Sequence, residues 1–218
     1  MSDDETRDAA DELEVREPES AQPEMDESKS APEDRGTAGP FDLSEVPVMR
    51  PYVDLGGIKV APREGLQLRL EVDERAKRVV AVTLEYAESV LQLQAFSAPK
   101  TTGLWHRVRR ELAQQLGSQN ARVQEEEGAF GPEILAVTAL PAEQGGGSRA
   151  IRFIGVDGPR WLVRGIIMGK AVTDVESRAK VDDLFRATVV VRGDQPMPPS
   201  ELLPMKVPAG VAQSRGQA

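Results

Sequence analysis

Residues 66–73, LQLRLEVD, alternate without a break: Leu66, Leu68, Leu70 and Val72 fall on one side and Gln67, Arg69, Glu71 and Asp73 on the other. A period of two is that of a half-buried strand. Glu74, Arg75 and Ala76 link it to residues 78–86, RVVAVTLEY, where Val80, Val82, Leu84 and Tyr86 again share a side. The pair predicts a hairpin. Residues 89–96, SVLQLQAF, add a third strand after a tight turn at Ala87 and Glu88, and residues 52–60, interrupted at Gly56 and Gly57, offer a preceding one. The first half of the body therefore reads as an antiparallel meander.

The period changes after Pro99. Thr101 or Thr102 can cap a helix running to about Leu116, with Gly117 as its stop. At roughly 100° per residue, Leu104, Trp105, Val108, Leu112 and Leu116 fall within one stripe. His106 lands beside Arg110 on the polar side and is expected to face water. The second half repeats the plan. Residues 133–140, 149–156 and 160–168 read as strands, with a flexible loop at 145–147, and Val181, Leu184 and Phe185 share a face of a helix over 174–186. An apolar run at 188–191 follows. The order strands-then-helix occurs twice, which predicts an α+β domain: a mostly antiparallel β-sheet with two helices packed on one face, built from two similar βββα units.

Both ends depart from this patterning. The first 39 residues hold 14 acids and 4 bases, a net of −10, so the rest of the chain, with 22 acids and 23 bases, sums to +1. With so few aliphatic residues the acidic segment cannot bury enough area to offset its ordering entropy, and residues 1–40 are expected to be a disordered tail. From residue 196 onward, Pro196, Pro198, Pro199, Pro204 and Pro208 forbid both helix and central strand. Residues 196–218 are thus an extended C-terminal segment, disordered at its end, along which Leu202, Leu203, Met205 and Val207 can dock on the body. A single domain over 41–195 remains. No apolar run is long enough to span a membrane, and the acidic start lacks the features of a signal peptide, so a cytoplasmic location is expected.

Composition narrows the chemistry. The chain has no Cys and one His, which removes disulfides, thiol nucleophiles and Cys-based metal sites, and leaves the commonest catalytic base scarce. No G-x-S-x-G turn accompanies His106. Residues 165–170, GIIMGK, are one residue short of a phosphate-binding loop and end on Ala171 in place of Ser or Thr. Glu125, Glu126 and Glu127, or Asp182 with Asp183, could reach a hard cation only if they converged; consecutive acids diverge, and a solvated surface explains them better. The same holds for Arg107, Arg109 and Arg110, because a body of net +1 supplies little long-range attraction for nucleic acid. No catalytic residue, cofactor or metal is expected.

The most distinctive string is RFIGVDGPRWLVR, residues 152–164. Asp157, Gly158 and Pro159 are turn formers joining two strands that carry Phe153, Trp161 and Val163 among three arginines. Arg160 and Arg164 share a strand face, opposite Trp161. One register puts Arg152 with them, forming a cationic patch; a slip of one residue moves it to the side of Trp161. In the structural reading Asp157 is held by backbone amides or by Arg160 while Trp161 fills the core. In the functional reading Arg152, Asp157, Arg160, Trp161 and Arg164 meet a partner.

Gly39-Pro40-Phe41-Asp42, residues 96–99 with Leu104-Trp105, Gly131 with Glu133, the string from Arg152 to Trp161, Arg192-Gly193 and the proline stretch at 198–204 together resemble an actinobacterial family classed as a domain of unknown function. GVDGPRW is the most specific of these pieces. The resemblance implies no reaction, cofactor or catalytic residue; genes of the family often lie near one for dUTP breakdown. The leading expectation is a non-enzymatic interaction or accessory module with a protein partner. The alternative is a nucleotide or nucleic-acid binder linked to DNA metabolism, and a carboxylate and arginine enzyme stands third.

Overall fold

The computed structural model describes residues 26–46, 51–140 and 146–208. In chain order the elements are α1 (Arg35–Ala38), β1 (Phe41–Asp42), β2 (Val53–Asp54), β3 (Ile58–Val60), β4 (Gln67–Asp73), β5 (Arg78–Tyr86) and β6 (Ser89–Ser97). They continue with α2 (Trp105–Ser118), β7 (Arg122–Gly128), β8 (Gly131–Ala139), β9 (Ser148–Asp157), β10 (Trp161–Gly169), α3 (Val175–Arg186) and β11 (Val189–Val190). The class is α+β. Seven strands form one antiparallel sheet in the order β4-β5-β6-β10-β9-β8-β7. The two meanders meet where β6 pairs β10, from Trp161 opposite Ser97 to Gly169 opposite Ser89. β1, β11, β3 and β2 form a smaller sheet, with β1 parallel to β11.

The strands predicted by alternation fall where the pattern places them, with two exceptions. Residues 52–60 break at Gly56 and Gly57 into β2 and β3 and join the small sheet, not the meander. β7 has no apolar alternation to announce it. Its RVQEEEG is an edge strand with most side chains in water, and a charged edge is a common guard against further pairing.

The two helices lie on opposite faces of the large sheet, which corrects the expectation of one face and of two similar βββα units. α2 covers Phe153, Ile134 and Ala136 with Trp105, while Val181, Leu184 and Phe185 of α3 belong to a second core with Ile154, Val156, Trp161 and Val163. Since Phe153 and Ile154 are adjacent on β9, the two cores sit on opposite faces. The second unit also has four strands where the first has three. Helical periodicity marks which stripe of a helix is buried; it carries no information about which face of a sheet receives it.

Helix ends follow tertiary contacts more than local caps. α2 starts without a side-chain cap from Thr101 or Thr102; Asp157 Oδ1 accepts from Leu104 N at 2.9 Å and Oδ2 from Trp105 N at 3.2 Å. Gly117 stays inside the helix. The stop is Asn120 at φ +62°, with Asn120 N bonded to Gly117 O and Ala121 N to Leu116 O, each at 3.0 Å. Asn is among the few residues that take this left-handed position readily. α3 is capped as its sequence suggests, by Asp174 accepting from Ser177 N.

The ends of the described chain are stitched to the body. Leu203 is 1% exposed, and its N–H reaches Ala95 O at 2.8 Å, while Ser97 N bonds Glu201 O at 2.8 Å. Met205 bridges Gly56 and Val79. The C-terminal strip thus docks through Leu203 and Met205, with Val207 left 38% exposed. Residues 26–39, which composition places in the acidic tail, run along the body. Gly103 N bonds Glu27 O, and Asp157 N bonds Ser30 O, both at 2.8 Å. Backbone pairing needs no apolar side chain, so composition could not register it. This strap also changes the setting of His106, whose side chain is only 16% exposed, with Nε2 3.4 Å from Asp26. The rest of the expected tail, residues 1–25, and residues 209–218 lie outside the described residues.

Candidate functional site

The turn between β9 and β10 is built as a knot of structural contacts. Trp105 lies against Gly155, where any Cβ would come within 2.2 Å of its ring, and Trp161 lies in the same way against Gly158 at 2.1 Å. Both indoles are fully buried, and each N–H has an acceptor: Pro132 O at 2.7 Å for Trp105 and Asp42 Oδ2 at 2.8 Å for Trp161. A large aromatic body with its polar handle satisfied is a stable core anchor. Arg35 stacks over Trp161 at 5.8 Å and holds Glu45 through both amino groups.

Asp157 is 1% exposed and accepts from three amides: Leu104 N, Trp105 N and Ser30 N, the last at 3.0 Å. Burial pushes its carboxyl up, against the pull of those three donors and of Lys29. Lys29 Nζ meets the carbonyls of Gly158, Pro159 and Pro99. One carboxylate therefore joins a strand end, a helix start and the N-terminal strap. The backbone-amide reading of Asp157 and the core reading of Trp161 are the ones realised.

The register of β9 on β10, with Ile167 opposite Arg152 and Val163 opposite Val156, places Arg152 on the face of Trp161, away from Arg164. Arg152 is 1% exposed and held by two carboxylates: Nε and Nη2 donate to Glu133 at 2.7 and 2.8 Å, and Nη1 donates to Asp182 of α3 at 2.7 Å. A fork of this kind is the strongest geometry an arginine has. Glu133 and Asp182 thus converge on a cation of the protein's own, with Glu133 in the interior and Asp182 at its margin. Of the other candidate acids, Asp183 pairs outward with Arg63 and Glu125 with Arg109.

Five residues were grouped by the sequence pattern, and the fold separates them. Arg152, Asp157 and Trp161 are interior. Arg160 is exposed at the turn, its carbonyl accepting from Ala98 N. Arg164 is half-buried on the α2 side of the sheet, opposite Gln94 of β6. Its Nη2 donates to Gln94 Oε1, its guanidinium stacks over Phe96 at 5.5 Å, and its Nε is buried with no acceptor among the described residues. Burial alone pushes this guanidinium down, and no carboxylate among the described residues offsets it.

Arg164 lies where that face changes character. Over β7, β8 and β9 it is apolar and covered by α2. Over β4, β5 and β6 it carries Arg69, Glu71, Thr83, Gln92 and Gln94, which remain exposed or half-exposed. They bond to one another across the strands: Glu71 accepts from Thr83 Oγ1 at 2.6 Å and from Gln92 at 2.7 Å, and Arg69 meets Glu85 at 3.1 Å. A further cationic group, Lys59, Arg192 and Lys206, lines a cavity beside the small sheet. Periodicity gave no sign of it, since the three come from β3, a loop and the C-terminal strip; Arg192-Gly193 after an apolar run was the one local trace.

The family described as protein of unknown function (DUF3710) matches residues 39–214, and the chain belongs to it. No curated protein and no solved structure matches the chain. No helix among the described residues is long and apolar enough to cross a membrane.

Proposed function

We propose that this chain is a non-catalytic interaction module that docks a partner protein on the open half of its large sheet, with Arg164 as the anchor. What carries the reading is the state of Arg164: among the described residues, a partly desolvated guanidinium with an unmet Nε donor and no carboxylate beside it. A cation in that condition weakens the isolated domain, because desolvation is not offset by a counter-charge. A partner carboxylate placed over Gln94 would offset it. The surroundings suit such contact, since Phe96, Ile166 and Met168 supply apolar and aromatic area around the arginine, as in the anchor clusters of protein interfaces. The occupant that fits is an amphipathic helix carrying an Asp or Glu on its buried face. It would lie over β4 to β6 as α2 lies over β7 to β9. Arg160, at the exposed end of the same strand, stands at the rim.

The test is a photo-crosslinker at Gln92 in the full chain, used in extract of the native host with wild-type Arg164 and with Arg164→Glu. The reading expects a discrete crosslinked partner whose captured peptide contains a carboxylate, lost in Arg164→Glu while the circular dichroism spectrum is unchanged. Equal capture by both proteins overturns it. So does crosslinking only to a second copy of the chain, with light scattering reporting a dimer.

A further inference from the structure

The loop that follows β11 closes a cavity of about 430 Å3 against β2, β3 and the C-terminal strip. That is within the range of small-molecule sites. Lys59, Arg192 and Lys206 line it, as do Asp54 and Asp194. The two acids leave the cations in excess. Asp54 is engaged by Lys206 at 3.3 Å and by Gly56 N at 2.9 Å, with Lys59 acting on it from farther off. Arg192 donates through Nη1 to Gln195 O at 2.9 Å, and its Nε is buried with no acceptor among the described residues. Burial, and then the charge of Arg160, push this guanidinium down. Gly193 holds φ +66°, and the space where a Cβ would stand is open. The backbone there is bare and accessible from the cavity.

We propose that this cavity binds a small phosphate-bearing anion, with Arg192 and Lys59 as its principal contacts and Lys206 at the side. A carboxylate satisfies donors in one plane. A tetrahedral phosphate offers oxygens in several directions and a charge near −2, which matches cations from three separate segments. The exposed glycine backbone lets the anion approach closely. The site shares no residue with the docking face around Arg164, so each can fail alone.

The experiment is isothermal titration of the full chain with inorganic phosphate, pyrophosphate and acetate, at low and at physiological salt. Saturable binding is expected, tighter for pyrophosphate than for phosphate, weak for acetate, and falling as salt rises. Arg192→Gln should weaken it about tenfold or more, the value of one charge-assisted hydrogen bond. Lys59→Gln should weaken it as well, and because Lys59 is half-exposed that variant keeps the test sound if Arg192→Gln disturbs the fold. Arg164→Gln should leave it unchanged. Absence of saturable binding overturns the proposal, as does equal affinity for acetate and pyrophosphate, or unaltered affinity in Lys59→Gln.

Discussion

Arg152 and Arg164 stand on paired neighbouring strands, and their circumstances are opposite. Arg152 faces α3 and has a carboxylate on each side, Glu133 and Asp182, with its Nε and both amino groups bonded. Arg164 faces the other way, onto Gln94 and Phe96, with a donor unmet. The first is a structural rivet whose charge is cancelled inside the fold. The second has been partly removed from water without a counter-charge. The contrast teaches that residue type and burial do not by themselves set the condition of an arginine in this protein; whether the fold supplies a counter-charge does.

The contrast can be broken most severely at Arg152. Arg152→Met leaves Glu133 and Asp182 without their cation, Glu133 in a site 1% exposed. A loss of about 3–5 kcal/mol is expected in urea denaturation. The double variant Arg152→Met with Glu133→Leu should recover a large part of it, and a double as unstable as the single would mean the triad is not the cause.

A smaller effect tests whether pairing on this face extends to exposed groups. Arg35 holds Glu45, and that bond, ahead of the opposing cost of burial, keeps the Glu45 carboxyl below its ordinary value of 4.5. Glu45→Gln should cost about 1 kcal/mol near neutral pH. Because the folded pKa is the lower one, the stabilisation is present above the unfolded value and lost as pH falls through the folded value. The deficit of the variant should therefore be constant above pH 4.5 and shrink below it. A deficit that grew on acidification would reverse the sign of the argument.

The smallest effect sharpens the other side. Arg164→Leu removes a desolvated cation with no counter-charge, and its stability should lie within about 0.5 kcal/mol of wild type, or above it. Paired with loss of the crosslinked partner, that result would separate Arg164 from Arg152 cleanly. A loss of several kcal/mol would place Arg164 among the rivets.

Much of the fold was legible along the chain, since β4, β5 and β6 each carry a period of two that any register preserves. β7 was not, because its RVQEEEG carries a single apolar residue, Val123, and so has no alternation to display. The candidate site was less legible. RFIGVDGPRWLVR stands out, but most of what makes it distinctive serves packing: Gly155 and Gly158 admit two indoles, and Asp157 receives three amides contributed by residues 30, 104 and 105. Those partners are far apart in sequence, so no spacing rule could connect them.

What the sequence determined by itself was local: which segments are strands or helices, which stripe of each is apolar, and that the acidity is concentrated in the first 39 residues. Those properties depend on near neighbours, and period and composition record them directly. Only the tertiary structure decided that the helices take opposite faces, that Arg152 turns inward while Arg164 turns outward, and that Lys59, Arg192 and Lys206 line one cavity. The physical reason is that a one-residue change in register exchanges the two faces of a strand, and register is fixed by the sum of long-range contacts.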